Sequence, residues 1–310
     1  MPNVTNVAFF GTPFADSTTP LFTPLGLAGN DILEGDAGDD FLDGFDGIDQ
    51  IKGESGNDTL EGGLGNDSLF GGVGLDFIFG EEGNDLVEGG ADDDFISGGL
   101  GDDLLYGDNA GFDILGIPGN DIIFGDEGDD VIFGEGGDDF LSGGIGHDVV
   151  TAGLGDDILE GNEGDDILLG EDGNDTLTGG AGSDILTGGT GADVFVFLPT
   201  TDFIVNGEVD IITDFDVNED SIDLSAFPLA IPELDGMQNN GANQFAFDDF
   251  SNGLTQGLDS SFYQMGANVV IESRDPLGYG LGSLGNGSES MLIIENVNID
   301  DLGGSNFIFA

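Results

Sequence analysis

The chain has 310 residues and carries 64 acidic side chains against two basic ones, which gives a formal net charge of −62. This charge excludes nucleic acid and anionic lipid as partners, because both need a positive surface. Metal cations are the natural partners instead. The chain has no cysteine, which excludes disulfides and thiolate chemistry. No apolar run approaches the ~20 residues of a membrane helix, so we expect no transmembrane segment.

Residues 1–25 are predicted to form an extended lead-in, because they contain Pro2, Pro13, Pro20 and Pro24. The apolar run Val7–Phe10 is suited to cover the first coil of a solenoid, whose end otherwise exposes edges and core. A flexible tail is the alternative. The segment lacks the basic start and long apolar stretch of a cleaved secretory signal, so export would need another route.

Residues 26–196 are nineteen uninterrupted copies of a nine-residue repeat, such as GGLGNDSLF at 62–70. Position 1 is Gly in 18 copies, position 4 is Gly in 17, position 6 is Asp in 18, and position 8 is apolar in all 19. The exceptions are Ala152 at position 1, Asp92 and Ala110 at position 4, and Phe112 at position 6. Low-complexity disorder does not keep a hydrophobic position in register, so the pattern predicts a fold.

Each copy is predicted to be one turn followed by one short strand. The glycines at positions 1 and 4 are expected to allow positive φ, and positions 7 to 9 alternate as a strand with position 8 pointing inward. Two copies then make a coil of 18 residues, and copy n stacks in parallel on copy n+2. The predicted fold is all-β: a parallel β-roll, that is a right-handed β-helix solenoid of nonapeptide repeats, with a C-terminal β cap.

The aspartate at position 6 predicts calcium binding. One buried apolar side chain per nine residues is too thin a core to offset the entropy of ordering the chain. Carboxylates stacked 18 residues apart would repel each other unless a hard divalent cation lay between them, and turn carbonyls can complete an oxygen shell that suits Ca²⁺ better than Mg²⁺. The candidate ligands are Asp31, Asp40, Asp49, Asp58, Asp67, Asp76, Asp85, Asp94, Asp103, Asp121, Asp130, Asp139, Asp148, Asp157, Asp166, Asp175, Asp184 and Asp193.

The copies also predict the number of ions. Nineteen copies form 17 pairs of the n and n+2 kind, and Phe112 removes its pairs with Asp94 and Asp130, which leaves 15. We therefore expect roughly 15 Ca²⁺ ions and a largely disordered metal-free chain. Copies 8 to 10 are the weak place, interpreted either as a kink between two rolls (26–97 and 116–196) or as a harmless irregularity.

Apolar residues at the outward positions 7 and 9 form a predicted patch on the roll. Its members are Phe77, Phe79, Leu104, Tyr106, Ile122, Phe124, Val131 and Phe133. Large exposed apolar patches usually mark contacts, which suggests self-association or a cover by the C-terminal segment. Ordinary strand formers in shallow grooves are the alternative.

Residues 197–310 leave the repeat and are predicted to form a terminal β cap. Strand-like runs occur at Val194–Leu198, Asp210–Thr213, Asn268–Ile271, Met291–Ile294 and Phe307–Phe309. Asp214, Asp216, Asn218 and Asp220 have the alternating spacing of a calcium loop, but Glu219 and Ser225 break the EF-hand pattern, which leaves a turn with one candidate extra ion.

The repeats resemble those of the RTX (repeats-in-toxin) calcium-binding family. The stretch Gly188–Phe197 followed by Asp210–Phe227 (DIITDFDVNEDSIDLSAF) is similar to the segment that closes RTX rolls in secreted exoproteins. The ending Asp300–Ala310 (DDLGGSNFIFA) is similar to the uncleaved signal presented to type I secretion machinery. The resemblance implies export as an unfolded chain and folding outside, with a secreted or cell-surface location.

No enzyme motif stands out in the sequence. The single histidine, His147, lies at a variable repeat position and is expected to face solvent, and neither H-E-x-x-H nor G-x-S-x-G occurs. The sequence therefore favours a non-enzymatic, secreted, calcium-binding structural or surface component. The alternatives are a hydrolase or lyase with its site in 197–310, and a detached tail of a larger exoprotein.

Overall fold

A computed structural model of the chain describes residues 8–10, 29–108, 118–198, 209–223 and 225, and further segments at 244–246, 259–265, 268–274, 289–297, 302 and 306–308. These residues form two long sheets whose parallel strands are stacked as coils, and the first sheet ends in four strands within residues 244–294 that pair antiparallel with one another. The predicted all-β parallel β-roll is confirmed. Within these ranges, no helix is long and apolar enough to span a membrane.

The first sheet has fifteen strands, and its order follows every second strand of the repeats. In that order it contains β1 (Ala8–Phe10), β2 (Ile32–Glu34), β4 (Gln50–Ser55), β6 (Ser68–Val73), β8 (Leu86–Ala91), β10 (Leu104–Asp108), β12 (Val131–Gly136), β14 (Val149–Leu154), β16 (Ile167–Asp172), β18 (Ile185–Thr190), β20 (Val209–Ile212), β25 (Glu289–Ile294), β24 (Asn268–Arg274), β23 (Asp259–Met265) and β22 (Gln244–Ala246).

The second sheet has eleven strands, which lie on the opposite side of each coil. In order they are β3 (Phe41–Asp43), β5 (Thr59–Leu64), β7 (Phe77–Glu82), β9 (Phe95–Leu100), β11 (Ile122–Glu127), β13 (Phe140–Ile145), β15 (Ile158–Glu163), β17 (Thr176–Ala181), β19 (Val194–Val196), β21 (Ser221–Asp223) and β26 (Phe307–Ile308).

The core consists of the position-8 side chains, which form one ladder in each sheet. Leu60 pairs with Ile78 in the second sheet, Leu69 pairs with Val87 in the first, and all four side chains are fully buried. The inward orientation of position 8 is therefore confirmed. A core of this kind is thin, because each coil places only two of these side chains between the sheets.

The strands are longer than predicted. Most repeat strands have six residues, covering positions 7 to 9 and then positions 1 to 3 of the next copy. The main chain bends within the strand at position 2, where φ is positive both for Gly63 (103°) and for Glu81 (78°). Pairing continues beyond the bend, because the Leu64 N–H donates to the Phe45 carbonyl of the previous coil. The expectation of three-residue strands was wrong, because pairing does not stop at the corner.

The stacking changes register around residues 109–117. Strand β9 pairs with β11, and β10 pairs with β12, although residues 109–117 lie between β10 and β11 in the sequence. The facing aspartates Asp94 and Asp121 are therefore 27 residues apart instead of 18. The predicted pairs of Phe112 with Asp94 and Asp130 were wrong, since Asp94 meets Asp121 and Asp130 meets Asp103.

Residues 109–117 are a nine-residue insertion relative to the stacking, because the coils on either side of them pair with each other. Joined across them, Gly107, Asp108, Pro118, Gly119, Asn120 and Asp121 read as one ordinary copy. Pro118 occupies position 3, because it lies beside Gly136, the position-3 residue of the neighbouring coil. Both sheets continue across this point, so the proposed division into two rolls is not found. Ala110 and Phe112 themselves lie outside the described residues.

Strands outside the repeats extend both ends of the roll. At the N terminus, β1 pairs with β2; the predicted cap was Val7–Phe10, of which Val7 lies outside the described residues, and its role as a cap stays a prediction. At the C terminus, β20 stacks on β18 and β21 on β19, and β25 and β26 continue the two sheets. The strand-like runs predicted in this region correspond to β19, β20, β24, β25 and β26.

The outward apolar residues form aromatic rows on the surface of the sheets. In the second sheet, the ring of Phe95 lies 6.0 Å from that of Phe77 and 5.8 Å from that of Phe124. In the first sheet, Tyr106 stacks on Phe133 at 5.0 Å. Phe77 is 44% exposed. The side chains face outward as expected, and a contact partner for them stays a prediction.

Deleting residues 109–117 should leave the roll folded, with an unchanged calcium-bound far-UV circular dichroism spectrum and little change in Tm, because the junction becomes a regular copy. Deleting the nine residues 143–151 is the matched control. It moves every later copy to the opposite sheet and brings the wrong strands to the cap, so its Tm should fall. Equal loss of structure in both deletions would contradict the insertion.

Candidate metal centre

The position-6 aspartates form a ladder of two separate rows, one along each turn edge of the coils, because alternate copies lie on opposite sides. In each step, the main-chain N–H of one aspartate donates to Oδ1 of the aspartate in the next coil, as from Asp49 to Asp67 at 2.7 Å. Sixteen such bonds link the repeats from Asp31 to Asp193. All eighteen predicted aspartates are in this ladder, and all but Asp40 are buried.

The second carboxylate oxygen, Oδ2, points into the turn interior. It is buried and accepts no hydrogen bond in Asp49, Asp58, Asp67, Asp76, Asp85, Asp94, Asp103, Asp121, Asp130, Asp139, Asp148, Asp157, Asp166, Asp175 and Asp193. A buried carboxylate without a compensating partner is strongly disfavoured. The row of Oδ2 atoms therefore requires a positive partner, and the two basic residues of the whole chain cannot supply it.

The position-1 glycines leave the space in which this partner would lie. A Cβ added at Gly62 would lie 2.9 Å from Asp67 Oδ2 and 2.7 Å from the Gly80 carbonyl oxygen. At Gly89 the corresponding distances to Asp94 Oδ2 and the Gly107 oxygen are both 2.5 Å. The predicted reason for this glycine, a positive φ, was wrong for position 1. The residue must be small because oxygens converge where a side chain would begin.

Burial and mutual repulsion disfavour ionisation of these carboxyls. Burial raises the pKa of Asp58 to about 6, of Asp76 to about 7 and of Asp94 to about 9, against a main-chain hydrogen bond that lowers it. Neighbouring aspartates of the ladder raise the pKa further, such as Asp121 and Asp76 beside Asp94. Without a cation, the folded roll holds its aspartates in an environment that favours the protonated form.

The ladder continues beyond the repeats, which the sequence prediction missed. The Asp184 N–H donates to Asp210 Oδ1 at 3.1 Å, and the Asp193 N–H donates to Asp220 Oδ1 at 3.0 Å. Like each repeat aspartate, Asp210 and Asp220 are followed by one variable residue and then by an apolar residue. That short pattern is the signal that could have found them.

The turn at 214–220 differs from the predicted calcium loop. Asp216 Oδ1 accepts bonds from the main chain and side chain of Asn218, and Asp220 Oδ2 accepts the Asp216 N–H at 2.7 Å. Asp214 instead accepts the N–H groups of Gly188 and Gly189. These oxygens hold the end of the roll, and an ion at this turn stays a prediction.

Position 5 carries a second, exposed ladder of side chains. Asn or Asp at this position accepts the position-5 N–H of the following coil, as Asp138 does from Asp156 at 3.0 Å. His147 occupies one step: its N–H donates to Asp129, and its Nδ1 accepts the Asp165 N–H at 2.8 Å. The side chain is exposed, as predicted.

The donor set determines which metal fits. No three His, Asp or Glu side chains in the described ranges are grouped to hold an ion, so a cation must also use main-chain carbonyls. Carboxylate and carbonyl oxygens without nitrogen or sulfur suit a hard cation, and Ca²⁺ accepts such ligands at ~2.3–2.6 Å in flexible geometry. The oxygens that converge at each position-1 glycine therefore fit calcium.

Comparison with known families agrees with this geometry. The model of the RTX calcium-binding nonapeptide repeat matches residues 25–51, 43–78, 79–110, 115–150, 142–177 and 160–195, which together are more than half of the chain. The chain belongs to the RTX calcium-binding repeat family. The matched blocks leave a gap at 111–114, inside the nine-residue insertion. A search of curated protein sequences found no match.

Three solved structures are similar to this RTX chain. The AlgE6R3 subunit from the Azotobacter vinelandii mannuronan C5-epimerase is 28% identical, with 56% of this chain and 81% of that one covered and a TM-score of 0.33. The AlgE6R2 subunit of the same enzyme is 25% identical, with 57% and 92% covered and a TM-score of 0.25. The extracellular lipase LipA from Serratia marcescens is 18% identical, with 84% and 42% covered and a TM-score of 0.23. With TM-scores this low, none of them bears on what this chain binds.

Gly62→Ala should remove one calcium ion and lower the free energy of unfolding of the calcium-bound roll by about 1–3 kcal/mol, because its Cβ would overlap the converging oxygens. Equilibrium dialysis and thermal unfolding in calcium measure this. Ala152→Gly is the opposite change, at the one copy with a Cβ at this position, and should strengthen binding there. Unaltered calcium uptake in Gly62→Ala would show that the cation lies elsewhere.

In the presence of a chelator, more of the chain should be folded at pH 5 than at pH 8. Carboxyls whose pKa rises from 3.8 to about 6 in Asp58 and about 9 in Asp94 bind more protons when folded, so stability falls as pH rises through that interval. Excess calcium should reverse the order, because the metal needs ionised ligands. Circular dichroism at both pH values measures this, and a metal-free β signal that grew with pH would contradict it.

Proposed function

We propose that this RTX chain is a secreted protein that folds on binding calcium and acts as a structural or cell-surface component. The observation that carries the proposal is the row of buried Oδ2 atoms, from Asp49 to Asp193, that accept no hydrogen bond within the chain. The eighteen repeat aspartates from Asp31 to Asp193 are the proposed ligands, together with main-chain carbonyls of the next coil such as those of Gly80 and Ala152. Sixteen ladder steps support an ion count near the predicted 15.

The calcium concentration outside cells is sufficient for this role. Extracellular calcium sites commonly have Kd values of about 10⁻⁴–10⁻³ M. At ~10 mM calcium, each such site contributes roughly 1.4–2.7 kcal/mol to the folded state. Summed over the ladder, this determines whether the thin core can fold. The cytoplasm holds little calcium, so the same chain stays unfolded there and is suited to export.

Asp130→Asn tests the ladder, with Asp129→Asn as a matched control. Asp130 is buried and its Oδ1 accepts the Asp103 N–H, a bond that Asn can keep while it loses the second oxygen. The adjacent Asp129 is exposed, and its carboxylate accepts the His147 N–H. Asp130→Asn should bind less calcium and need more of it to fold, and Asp129→Asn should behave as the wild type.

A calcium titration followed by far-UV circular dichroism at pH 7.5 gives the folding curves. The wild type should show little β signal in excess chelator and a cooperative gain with calcium. An equal β signal with and without calcium would refute calcium-driven folding. Identical curves for the two variants would refute the assignment of position 6 as the ligand.

A further inference from the structure

Asp108 is buried, whereas other acidic side chains at position 2, such as Glu54, Glu81 and Glu135, are exposed. It follows Gly107 at position 2, and only 8% of it is accessible to solvent. Among the position-2 residues that the structure describes, such as Glu54, Glu81 and Glu135, all except Asp108 have positive φ. The positive φ turns those three side chains out to solvent. Asp108 lacks this bend, and its side chain is buried.

The buried carboxylate lies beside a candidate cation position. A Cβ added at Gly107 would fall within reach of Asp121 Oδ2 and 2.9 Å from the Gly134 carbonyl, as at the other position-1 glycines. Asp108 Oδ1 accepts the Gly119 N–H at 3.2 Å. Gly119 is two residues before Asp121 in the sequence, so this bond holds the Asp108 carboxylate in the turn that contains Asp121. Oδ2 of both Asp94 and Asp121 is buried and accepts no hydrogen bond.

Asp108 acts electrostatically on the ladder around it. Burial raises the pKa of Asp121 to about 8, and the carboxylates of Asp139 and Asp108 raise it further. Asp108 also raises the pKa of Asp94 and of Asp139, after the larger effect of burial.

We propose that the calcium site at Gly107, formed by Asp121 Oδ2 and the Gly134 carbonyl, is the tightest of the roll because Asp108 adds a negative charge beside it. This rests on the proposed calcium ladder. Because no three acidic or histidine side chains in the described part are grouped to hold an ion, Asp108 acts through its charge. Calcium affinity rises with the charge around a site, so this site fills first, and it favours trivalent lanthanides still more.

Tyr106 makes the site observable by itself. It directly precedes Gly107 and is the tyrosine of the repeats, while the chain has no tryptophan. Excitation of tyrosine should therefore sensitise the luminescence of Tb³⁺ bound at this site. Tyr106→Phe should abolish that signal without changing the packing on Phe133, which is an aromatic stack.

The experiment is a Tb³⁺ titration of the full-length chain. In the wild type, the Tyr106-dependent signal should saturate within the first equivalents of Tb³⁺. Asp108→Asn keeps the acceptor for the Gly119 N–H, and its Tb³⁺ affinity at this site should fall on the order of tenfold. Its Tyr106-dependent luminescence should then grow in step with the total Tb³⁺ bound to the chain. Deleting 109–117 should have the same effect, since position 2 regains its bend. Glu135→Gln, at an exposed position 2, is the control and should match the wild type.

The outcomes separate this inference from the proposed function. Early saturation in both wild type and Asp108→Asn would overturn the role of Asp108 while leaving the calcium ladder intact. A signal that grows in step with total occupancy in the wild type would overturn the tight site. If equilibrium dialysis found no uptake of Tb³⁺ or Ca²⁺ by any form of the chain, the ladder and this inference would both fall.

Discussion

The fold depends on one constraint. Each position-6 carboxylate uses one oxygen to bond to the neighbouring coil and keeps its other oxygen buried in the turn. Oδ1 is committed to a main-chain N–H of the neighbouring coil, as in Asp67 with Asp49, and Oδ2 remains in the turn interior. The other repeat rules follow from this arrangement. Position 1 is small because Oδ2 and a carbonyl occupy its side-chain space, and position 8 forms the apolar layer between the two sheets of the repeats.

The two side-chain ladders have opposite directions. At position 6, each carboxylate accepts the N–H of the previous coil, whereas at position 5 each Asn or Asp accepts the N–H of the following coil. Adjacent residues such as Asp138 and Asp139 therefore lock a turn to both of its neighbours. Their exposure separates their roles: the position-5 groups are solvated, and the position-6 groups are desolvated and need a counterion. Acidic content alone does not distinguish these two classes.

The sequence predicted the elements that depend on a fixed period. The inward position 8, the parallel pairing of copies n and n+2, the aspartate ladder and the cap strands all follow from repeat spacing and apolar pattern. The insertion at 109–117 could not be predicted from the frame, because its length equals one repeat and leaves every later position in phase. The loss of Gly at Ala110 and of Asp at Phe112 within one copy was its only trace. Asp210 and Asp220 were not predicted, because they follow their partners Asp184 and Asp193 by 26 and 27 residues instead of 18.

One row of the ladder extends to Asp220, where the chain provides a main-chain donor to each carboxylate oxygen. Asp220 continues the row, but its Oδ1 accepts the Asp193 N–H and its Oδ2 accepts the Asp216 N–H. Asn306 then donates to the carbonyls of Val217 and Asp220, which ties the C-terminal segment to this turn. Burial still raises the pKa of Asp220 to about 6 against these two main-chain hydrogen bonds, so they offset its burial only in part. The Oδ2 atoms that accept no hydrogen bond thus lie in the repeats, including Asp157 in the copy that begins with Ala152, whereas Asp220 Oδ2 has a main-chain donor.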